Sequence, residues 1–166
     1  MSASSDTPVP LDGPRLAGPK DAAACVAFFQ RYLNPEEVFS PEFLCPLGVR
    51  AAVQRREVII FLAVNELAAA LRFYRRKRSE CISIYQFAVH PTWRGRLLSR
   101  LLIDAAPPGT RLSSCSPRSS LNDYYRNTGW RLRRCTPTEH EWILTGATDG
   151  GVNRTVGCFS PCRGHL

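Results

Sequence analysis

Residues 84–103 constrain the fold more than any other part of the chain. Residues 84–89 have the β-branched and aromatic composition of a strand, a proline ends that strand, and a short basic loop with Gly95 leads directly into an amphipathic helix. The free N–H groups at the start of that helix point into the loop, where Arg94 and Arg96 add positive charge. The segment therefore predicts an anion-binding strand–loop–helix unit, with an ordinary strand-to-helix corner as the alternative.

The composition fits a single globular domain with a strongly basic surface. The chain has 166 residues, and its 22 basic against 14 acidic residues give a net charge of +8. Two of the basic residues are lysines, Lys20 and Lys77, and the other 20 are arginines, whose guanidinium suits phosphate or carboxylate. A hydrophobic fraction of 44% disfavours a disordered, collagen-like or coiled-coil chain. The basic excess indicates an anionic partner such as nucleic acid, although a solvated arginine-rich surface explains it equally well.

Hydrophobic periodicity and turn residues predict one layered α/β (α+β) domain. The predicted helices are 22–33, 40–56, 96–106 and 119–127, and the predicted strands are 14–17, 58–64, 67–74, 81–89, 110–115, 132–136 and 141–145. Asp21 and Ser40 are predicted to cap the first two helices. We expect residues 1–13 to form a loose tail, 14–146 the domain and 147–166 a Gly- and Cys-containing tail.

The sequence favours a cytoplasmic protein without a metal. It contains no run of about 18 apolar residues that could span a membrane and no secretory signal. Its seven cysteines are odd in number and scattered without a Cys-x-x-Cys pair, which argues against disulfides and zinc and for a reducing compartment. Cys158 and Cys162 are spaced like half a metal site, but only His165 lies nearby in sequence. Cys115, at a strand end, is either a buried small hydrophobic residue or a nucleophile.

Three segments together resemble one family. Residues 89–102, Val-His-Pro-Thr-Trp-Arg-Gly-Arg-Leu-Leu-Ser-Arg-Leu-Leu, resemble the cofactor motif Val-x-Pro-x-x-Arg-Gly-x-Gly-x-Gly-x-x-Leu of the GCN5-related N-acetyltransferase (GNAT) superfamily. Residues 15–24 are similar to the opening strand and first helix of that family, and residues 125–130 to its late Tyr-x-x-x-Gly-aromatic motif. The resemblance covers about residues 14–145. It implies a GNAT-like, mixed and mostly antiparallel sheet of about six or seven strands flanked by about four helices.

The resemblance also implies a function and a cofactor site. The function is N-acetyl transfer from acetyl-CoA, as co-substrate, directly to an amine. In the family the pantetheine arm pairs with the end of the fourth strand, here Phe87, Ala88 and Val89. The pyrophosphate loop corresponds to Arg94, Gly95, Arg96, Leu97, Leu98 and Ser99. Two of the loop glycines are replaced. We expect Leu97 either to narrow the site or to tilt the cofactor, and Ser99 alternatively to offer its hydroxyl to a phosphate.

The catalytic groups are only partly indicated. The late tyrosine of the family commonly protonates the departing thiolate, a role that falls to Tyr125, with Tyr124 as the rival. If side chains alternate strictly along the fourth strand, one face carries Ile84, Gln86 and Ala88, and the other carries Ser83, Tyr85, Phe87 and Val89. Neither face carries a carboxylate in mid-strand. The candidates for the general base are Glu80, His90, His140 and Glu141.

Two other functions stay open at this point. Basic residues cluster at 72–78 and at 131–134, and Tyr74, Trp93 and Trp130 are available to stack on bases, so the acceptor is alternatively a DNA or tRNA base. The replaced glycines and the missing carboxylate also fit a non-catalytic GNAT-like binding module. The sequence assigns no oligomeric state.

Overall fold

Seven strands form one sheet in the structure, a computed structural model that describes residues 9–34 and 41–145. The strands are β1 (Leu11–Leu16), β2 (Val58–Ala63), β3 (Glu66–Arg75), β4 (Cys81–Val89), β5 (Thr110–Cys115), β6 (Arg131–Cys135) and β7 (His140–Leu144). Their order across the sheet is β1-β2-β3-β4-β5-β7-β6. Each neighbouring pair is antiparallel except β4 and β5, which are parallel.

Four α-helices accompany the sheet among the described residues. They are α1 (Ala22–Tyr32), α2 (Pro46–Gln54), α3 (Leu98–Ala105) and α4 (Leu121–Asn127). The mixed, mostly antiparallel sheet and the four helices confirm the predicted fold class. None of these helices is long and apolar enough to cross a bilayer.

The sheet separates two hydrophobic cores. Alternation along β2 directs Ile59 and Phe61 towards α3 and α4, and Val58 and Ile60 towards α1 and α2. All four side chains are buried. Because β2 is buried on both faces, it has the continuous apolar sequence from which the strand was predicted.

The first strand begins earlier than predicted. It starts at Leu11, where it pairs with Ala63, so residues 11–13 belong to the sheet and not to a tail. Gly13 has a φ of +132° and lies where the register between β1 and β2 shifts, which lets an edge strand continue past Pro14. Residues 1–8 and 146–166 of the predicted tails lie outside the described residues.

Of the two predicted helix caps, Asp21 does not cap its helix, and Ser40 cannot be compared with the structure. Asp21 precedes α1 but makes no side-chain cap, because its carboxylate accepts hydrogen bonds from Arg15 at 2.8 Å and from the Gly18 N–H at 2.8 Å. The predicted helix 40–56 is a 3-10 turn, Pro41–Leu44, followed by α2. Ser40 lies outside the described residues.

The cysteines differ from expectation at one position. Cys135 is disulfide-bonded, whereas Cys25, Cys45 and Cys81 are free thiols. The expectation that no disulfide forms is therefore wrong for Cys135, because sequence spacing does not show which thiols a fold brings together. The described part of the chain contains no cluster of three or more His, Cys, Asp or Glu side chains suited to a metal ion.

Candidate active site

The sheet opens where β4 and β5 separate. Their parallel pairing runs from Cys81 opposite Thr110 to Ile84 opposite Ser113, and then stops. Beyond that point β4 continues to Val89 while it remains paired with β3 on its other edge. The edge of β4 that faces β5 therefore leaves backbone N–H and C=O groups open to a ligand.

A β-bulge lies at the point of separation. Arg72 of β3 pairs with Gln86, and Phe73 pairs with Ile84, so Tyr85 is an extra residue on β4. Ile84, Phe87 and Val89 consequently pack on the side of α3 and α4, while Ala88 packs towards α1 and α2. The strict alternation predicted for β4 is therefore wrong, because one inserted residue moves the following side chains to opposite faces.

A cavity of about 510 Å³ occupies the gap between the two strands. We call it the cleft. It is lined by Tyr32, Leu33 and Asn34 at the end of α1, residues 85–89 of β4, Arg94, Ser99, Ser113 and Ser114 of β5, and Ser120, Leu121, Tyr124 and Tyr125 around α4. The predicted residues Phe87, Ala88, Val89, Arg94, Ser99 and Tyr125 therefore line one cavity. The two serines of β5 were not predicted, because only the parallel pairing with β4 reveals their position.

The loop before α3 has the backbone conformation of a glycine-rich turn. Gly95 has a φ of +78°, and Leu97 lies in the left-handed region with φ 60° and ψ 16°. Leu97 therefore keeps a backbone shape that glycine adopts freely, and its side chain is 67% exposed and does not line the cleft. The expectation that Leu97 narrows the cleft is wrong in this geometry.

The two loop arginines point to different places. Arg94 lines the cleft and donates from Nε to the Val89 carbonyl at 3.3 Å. Arg96 lies with its guanidinium carbon 4.7 Å from the centre of the Trp93 ring and does not line the cleft. Leu98 is buried in the core beneath the loop. Arg94 is therefore the one charged side chain among the described residues that line the cleft.

The tyrosine pair differs in depth. Tyr125 is buried, and its hydroxyl is 2.7 Å from Ser113 Oγ, which donates to the Ile84 carbonyl at 3.2 Å. The Tyr125 hydroxyl therefore lies at Ile84 and Ser113, the last residue pair between β4 and β5. Burial raises the pKa of Tyr125 above its usual value, although the bond with Ser113 lowers it in part.

Tyr124 lies nearer the loop. Its ring packs against Phe87 with centroids 5.4 Å apart, and it lines the cleft together with Ser99. Burial raises the pKa of Tyr124, and the neighbouring hydroxyls of Ser99 and Thr128 oppose that shift. The two phenols thus face different ends of the cleft, and Tyr125 is the one beside the point where the strands part.

An unsatisfied polar group stands in the wall of the cleft. Gln86 is buried, and neither atom of its side-chain amide has a hydrogen-bond partner among the described residues. A buried amide without a partner costs about 1–3 kcal/mol, so bound water or ligand that reaches it is favoured. Sequence reasoning placed Gln86 on β4 but had no signal for this.

None of the four candidates for the general base lines the cleft. Glu80 is exposed at the start of β4, and His90 accepts from the Thr92 N–H at 3.2 Å through Nδ1. His140 Nδ1 lies 2.9 Å from Asn122 Oδ1, which makes it the protonated nitrogen of that ring. Glu141 is buried and ion-paired to Arg133 at 3.0 Å.

A second cavity of about 440 Å³ adjoins the cleft. It shares Tyr85, Ser113 and Ser114 with the cleft. Glu141 lines this second cavity, so it is the only one of the four base candidates that lines a cavity joined to the cleft through shared residues. The point of strand separation is therefore approached by two hollows with different linings.

The geometry fits coenzyme A. The open edge of β4 can pair with an amide-containing arm, and the left-handed loop before α3 exposes backbone N–H groups for a pyrophosphate. Arg94 supplies the positive charge, and the unpaired Gln86 amide offers further hydrogen bonds. These features belong to the residues present and do not depend on the replaced glycines.

The comparisons with known proteins rest on structure. No family model matches the chain, and no curated protein matches it in sequence. The fold is similar to PaiA N-acetyltransferase from Thermoplasma acidophilum in complex with coenzyme A, with 9% identity, a TM-score of 0.64, and coverage of 82% of this chain and 98% of that chain. It is similar to an acetyltransferase of the GNAT family from Listeria monocytogenes, with 12% identity, a TM-score of 0.58, and coverage of 82% and 94%.

A third similar structure contains an amine substrate. Diaminobutyrate acetyltransferase EctA from Paenibacillus lautus, in complex with L-2,4-diaminobutyric acid and coenzyme A, matches with 11% identity and a TM-score of 0.56, over 79% of this chain and 92% of that chain. These likenesses show that the chain has the GNAT fold, as the sequence motifs predicted. At such low identity they describe the fold, and function has to be argued from the site.

Proposed function

We propose that this chain, which has the GNAT fold, is an N-acetyltransferase that moves an acetyl group from acetyl-CoA directly to an amine. The observation that carries the proposal is the separation of β4 and β5 after Ile84 and Ser113, with the Tyr125 hydroxyl at the last rung and Arg94 along the same cleft. The coenzyme A complexes of PaiA N-acetyltransferase and EctA, which have a similar fold, support the proposal.

Each cleft residue then has a role that follows from its position. The open edge of Phe87, Ala88 and Val89 pairs with the pantetheine arm, while Arg94 and the N–H groups that follow Gly95 hold the phosphates. The bound thioester supplies the acetyl group. As the new C–N bond forms and the C–S bond breaks, the Tyr125 O–H turns from Ser113 Oγ, its acceptor without substrate, to the leaving sulfur and transfers its proton there.

The proton of the amine leaves without a carboxylate in the cleft. Among the described residues that line the cleft there is no acid and no histidine, so water in the adjoining second cavity, where Glu141 lies, is the route we propose. The amine acceptor itself is not specified by the cleft residues.

Removing the charge of Arg94 tests the cofactor site. We expect Arg94→Ala to weaken coenzyme A binding roughly tenfold to hundredfold, because a charge-assisted hydrogen bond contributes about 1.5–3 kcal/mol. Arg96→Ala should have a smaller effect, since Arg96 lies over Trp93. Titration calorimetry with coenzyme A and acetyl-CoA measures both, with the exposed Arg50→Ala on α2 as the matched control. If the unmodified protein binds no acyl-CoA, the proposed function is wrong.

Alanine substitutions at Gly95 and Gly129 distinguish an effect on the shape of the cofactor loop from an effect on stability. Gly95 and Gly129 have φ values of +78° and +89°, and an added Cβ would meet no atom within 4 Å at either position. Alanine at either position should therefore lower the free energy of unfolding by about 1 kcal/mol through backbone strain alone. Only Gly95→Ala should also weaken coenzyme A binding, by about tenfold. Equal losses of affinity in the two variants would contradict a phosphate-binding role for this loop.

A further inference from the structure

The fold joins two basic segments that are far apart in the sequence. Arg76 follows β3 at the β3–β4 hairpin, and Arg133 lies in the edge strand β6. Both approach the same carboxylate, with Arg76 Nη2 3.8 Å from Glu141 Oε2 and Arg133 Nη1 3.0 Å from Glu141 Oε1. The two clusters recognised in the sequence thus form one surface.

The guanidinium groups on this surface are held in place by their neighbours. The Glu141 side chain is only 9% exposed, and Arg76 also donates from Nε to Ser83 Oγ at 2.9 Å. Arg134 is paired with Glu139 at 2.8 Å. Because each guanidinium has five N–H donors and these bonds use few of them, oriented donors remain for a further anion.

These side chains surround a hollow. A concavity of about 400 Å³ is lined by Arg76, Arg133, Arg134 and Glu141, and we call it the arginine concavity. It shares Arg76, Arg134 and Glu141 with the second cavity, which in turn shares Ser113, Ser114 and Tyr85 with the cleft. The three hollows therefore adjoin one another in sequence, from the arginine concavity through the second cavity to the point of strand separation.

The charge on this surface exceeds what its own carboxylates neutralise. Three arginines face two glutamates, Glu139 and Glu141, and the exposed residues Arg75, Lys77 and Arg78 extend the positive charge along the hairpin. Planar guanidinium groups bind phosphate oxygens in a bidentate manner. Tyr74 lines the second cavity beside Arg76, with its ring 5.7 Å from that of Tyr85, and adds an aromatic surface.

We propose that the arginine concavity binds phosphate groups of the acyl acceptor and directs its amine along the second cavity to the cleft. The proposal rests on the proposed acetyltransferase function and names its acceptor class, an amine on a phosphate-bearing molecule. A free nucleotide and a nucleic acid share this chemistry. Carboxylate-bearing acceptors are less favoured, because Arg133 and Arg134 already hold the carboxylates of Glu141 and Glu139, of which only Glu141 lines the concavity, and positive charge is still in excess.

Binding of RNA to the full chain tests the inference. The probe is a fluorescein-labelled single-stranded RNA of about 12 nucleotides, followed by anisotropy from about 50 to about 200 mM salt. We expect the affinity of Arg133→Gln/Arg134→Gln to fall about tenfold at the lower salt, and the slope of log affinity against log salt to decrease by about 1.4, at about 0.7 for each lost contact. The matched control is Arg50→Gln/Arg55→Gln, which removes the same charge from α2 and its end.

A single variant, competition experiments and a parallel affinity measurement distinguish the possible outcomes. Arg134→Gln alone leaves the Arg133–Glu141 pair intact, so we expect its folding stability to stay nearly unchanged and its weaker binding to reflect the lost contact. Full competition by a mononucleotide or pyrophosphate supports a small phosphate-bearing acceptor, and competition only by unlabelled RNA supports a nucleic acid. Absence of RNA and nucleotide binding, equal losses in the control, or better competition by polyglutamate would overturn the inference. Coenzyme A affinity measured in parallel stays unchanged in these variants, which separates this failure from failure of the proposed function.

Discussion

Tyr125→Phe is expected to lower the rate of acetyl transfer by about 100-fold at saturating acetyl-CoA, while the affinity for coenzyme A changes little. General acid catalysis by a positioned side chain contributes about 10² to 10⁴ to a rate, and phenylalanine removes only the hydroxyl. Burial raises the pKa of Tyr125, so its proton is retained across the neutral range and the wild-type rate should show no loss from this group below about pH 10. The measurement is kcat against pH for both proteins with a common amine.

Tyr124→Phe is the matched control, because it removes the same hydroxyl from the residue of α4 that precedes Tyr125. The hydroxyl that contacts Ser113 at the point of strand separation is that of Tyr125, so for Tyr124→Phe we expect less than about a threefold change in rate. Loss of the Ser113 partner should cost Tyr125→Phe about 1 kcal/mol of stability, which a thermal melt separates from the effect on rate. A large loss in Tyr124→Phe alone would transfer the role to Tyr124. Acetyl-CoA binding without turnover on any amine would favour the non-catalytic binding module.

The parts of the site that lie close together in sequence could be predicted. Val89, Arg94 and Gly95 belong to one strand, loop and helix, and such a unit has a short-range signal in its proline, glycine and apolar spacing. The left-handed conformation of Leu97 could not be predicted in this way. A leucine at this position carries no conformational signal, and only the loop as a whole fixes its backbone.

The parts that depend on pairing between distant strands could not be predicted. The bulge at Tyr85 is defined by the partners of its neighbours on β3, and a two-residue period along β4 alone gives the wrong face for the residues after it. The same holds for Arg76 and Arg133, which meet only because β6 and β7 place Glu141 between them. Sequence reasoning therefore located the cofactor loop better than the acceptor side.

Asn122 is a buried hydrogen-bonding centre that no sequence signal indicated. Its Oδ1 accepts from Trp142 Nε1 at 3.1 Å and from His140 Nδ1 at 2.9 Å. Its Nδ2 donates to the carbonyls of Ser116, Pro117 and Ser119 at 3.0, 3.2 and 2.9 Å. The side chain thereby joins α4, which carries Tyr125, to β7 and to the turn after β5.

Asn122→Ala is expected to lower the free energy of unfolding by about 3–5 kcal/mol. The substitution leaves the buried Trp142 N–H, His140 Nδ1 and the Pro117 carbonyl without this partner, and each unsatisfied buried group costs about 1–3 kcal/mol. Urea unfolding measures the effect, with the exposed Asn127→Ala on the same helix as a control expected to stay within about 0.5 kcal/mol. If the two variants lose equal stability, α4 is held by its apolar face alone. If Asn122→Ala is less stable than Asn127→Ala, the hydrogen bonds of Asn122 fix the helix that positions Tyr125. The acetyl-transfer rate of Asn122→Ala should then fall even under conditions in which the variant is still folded.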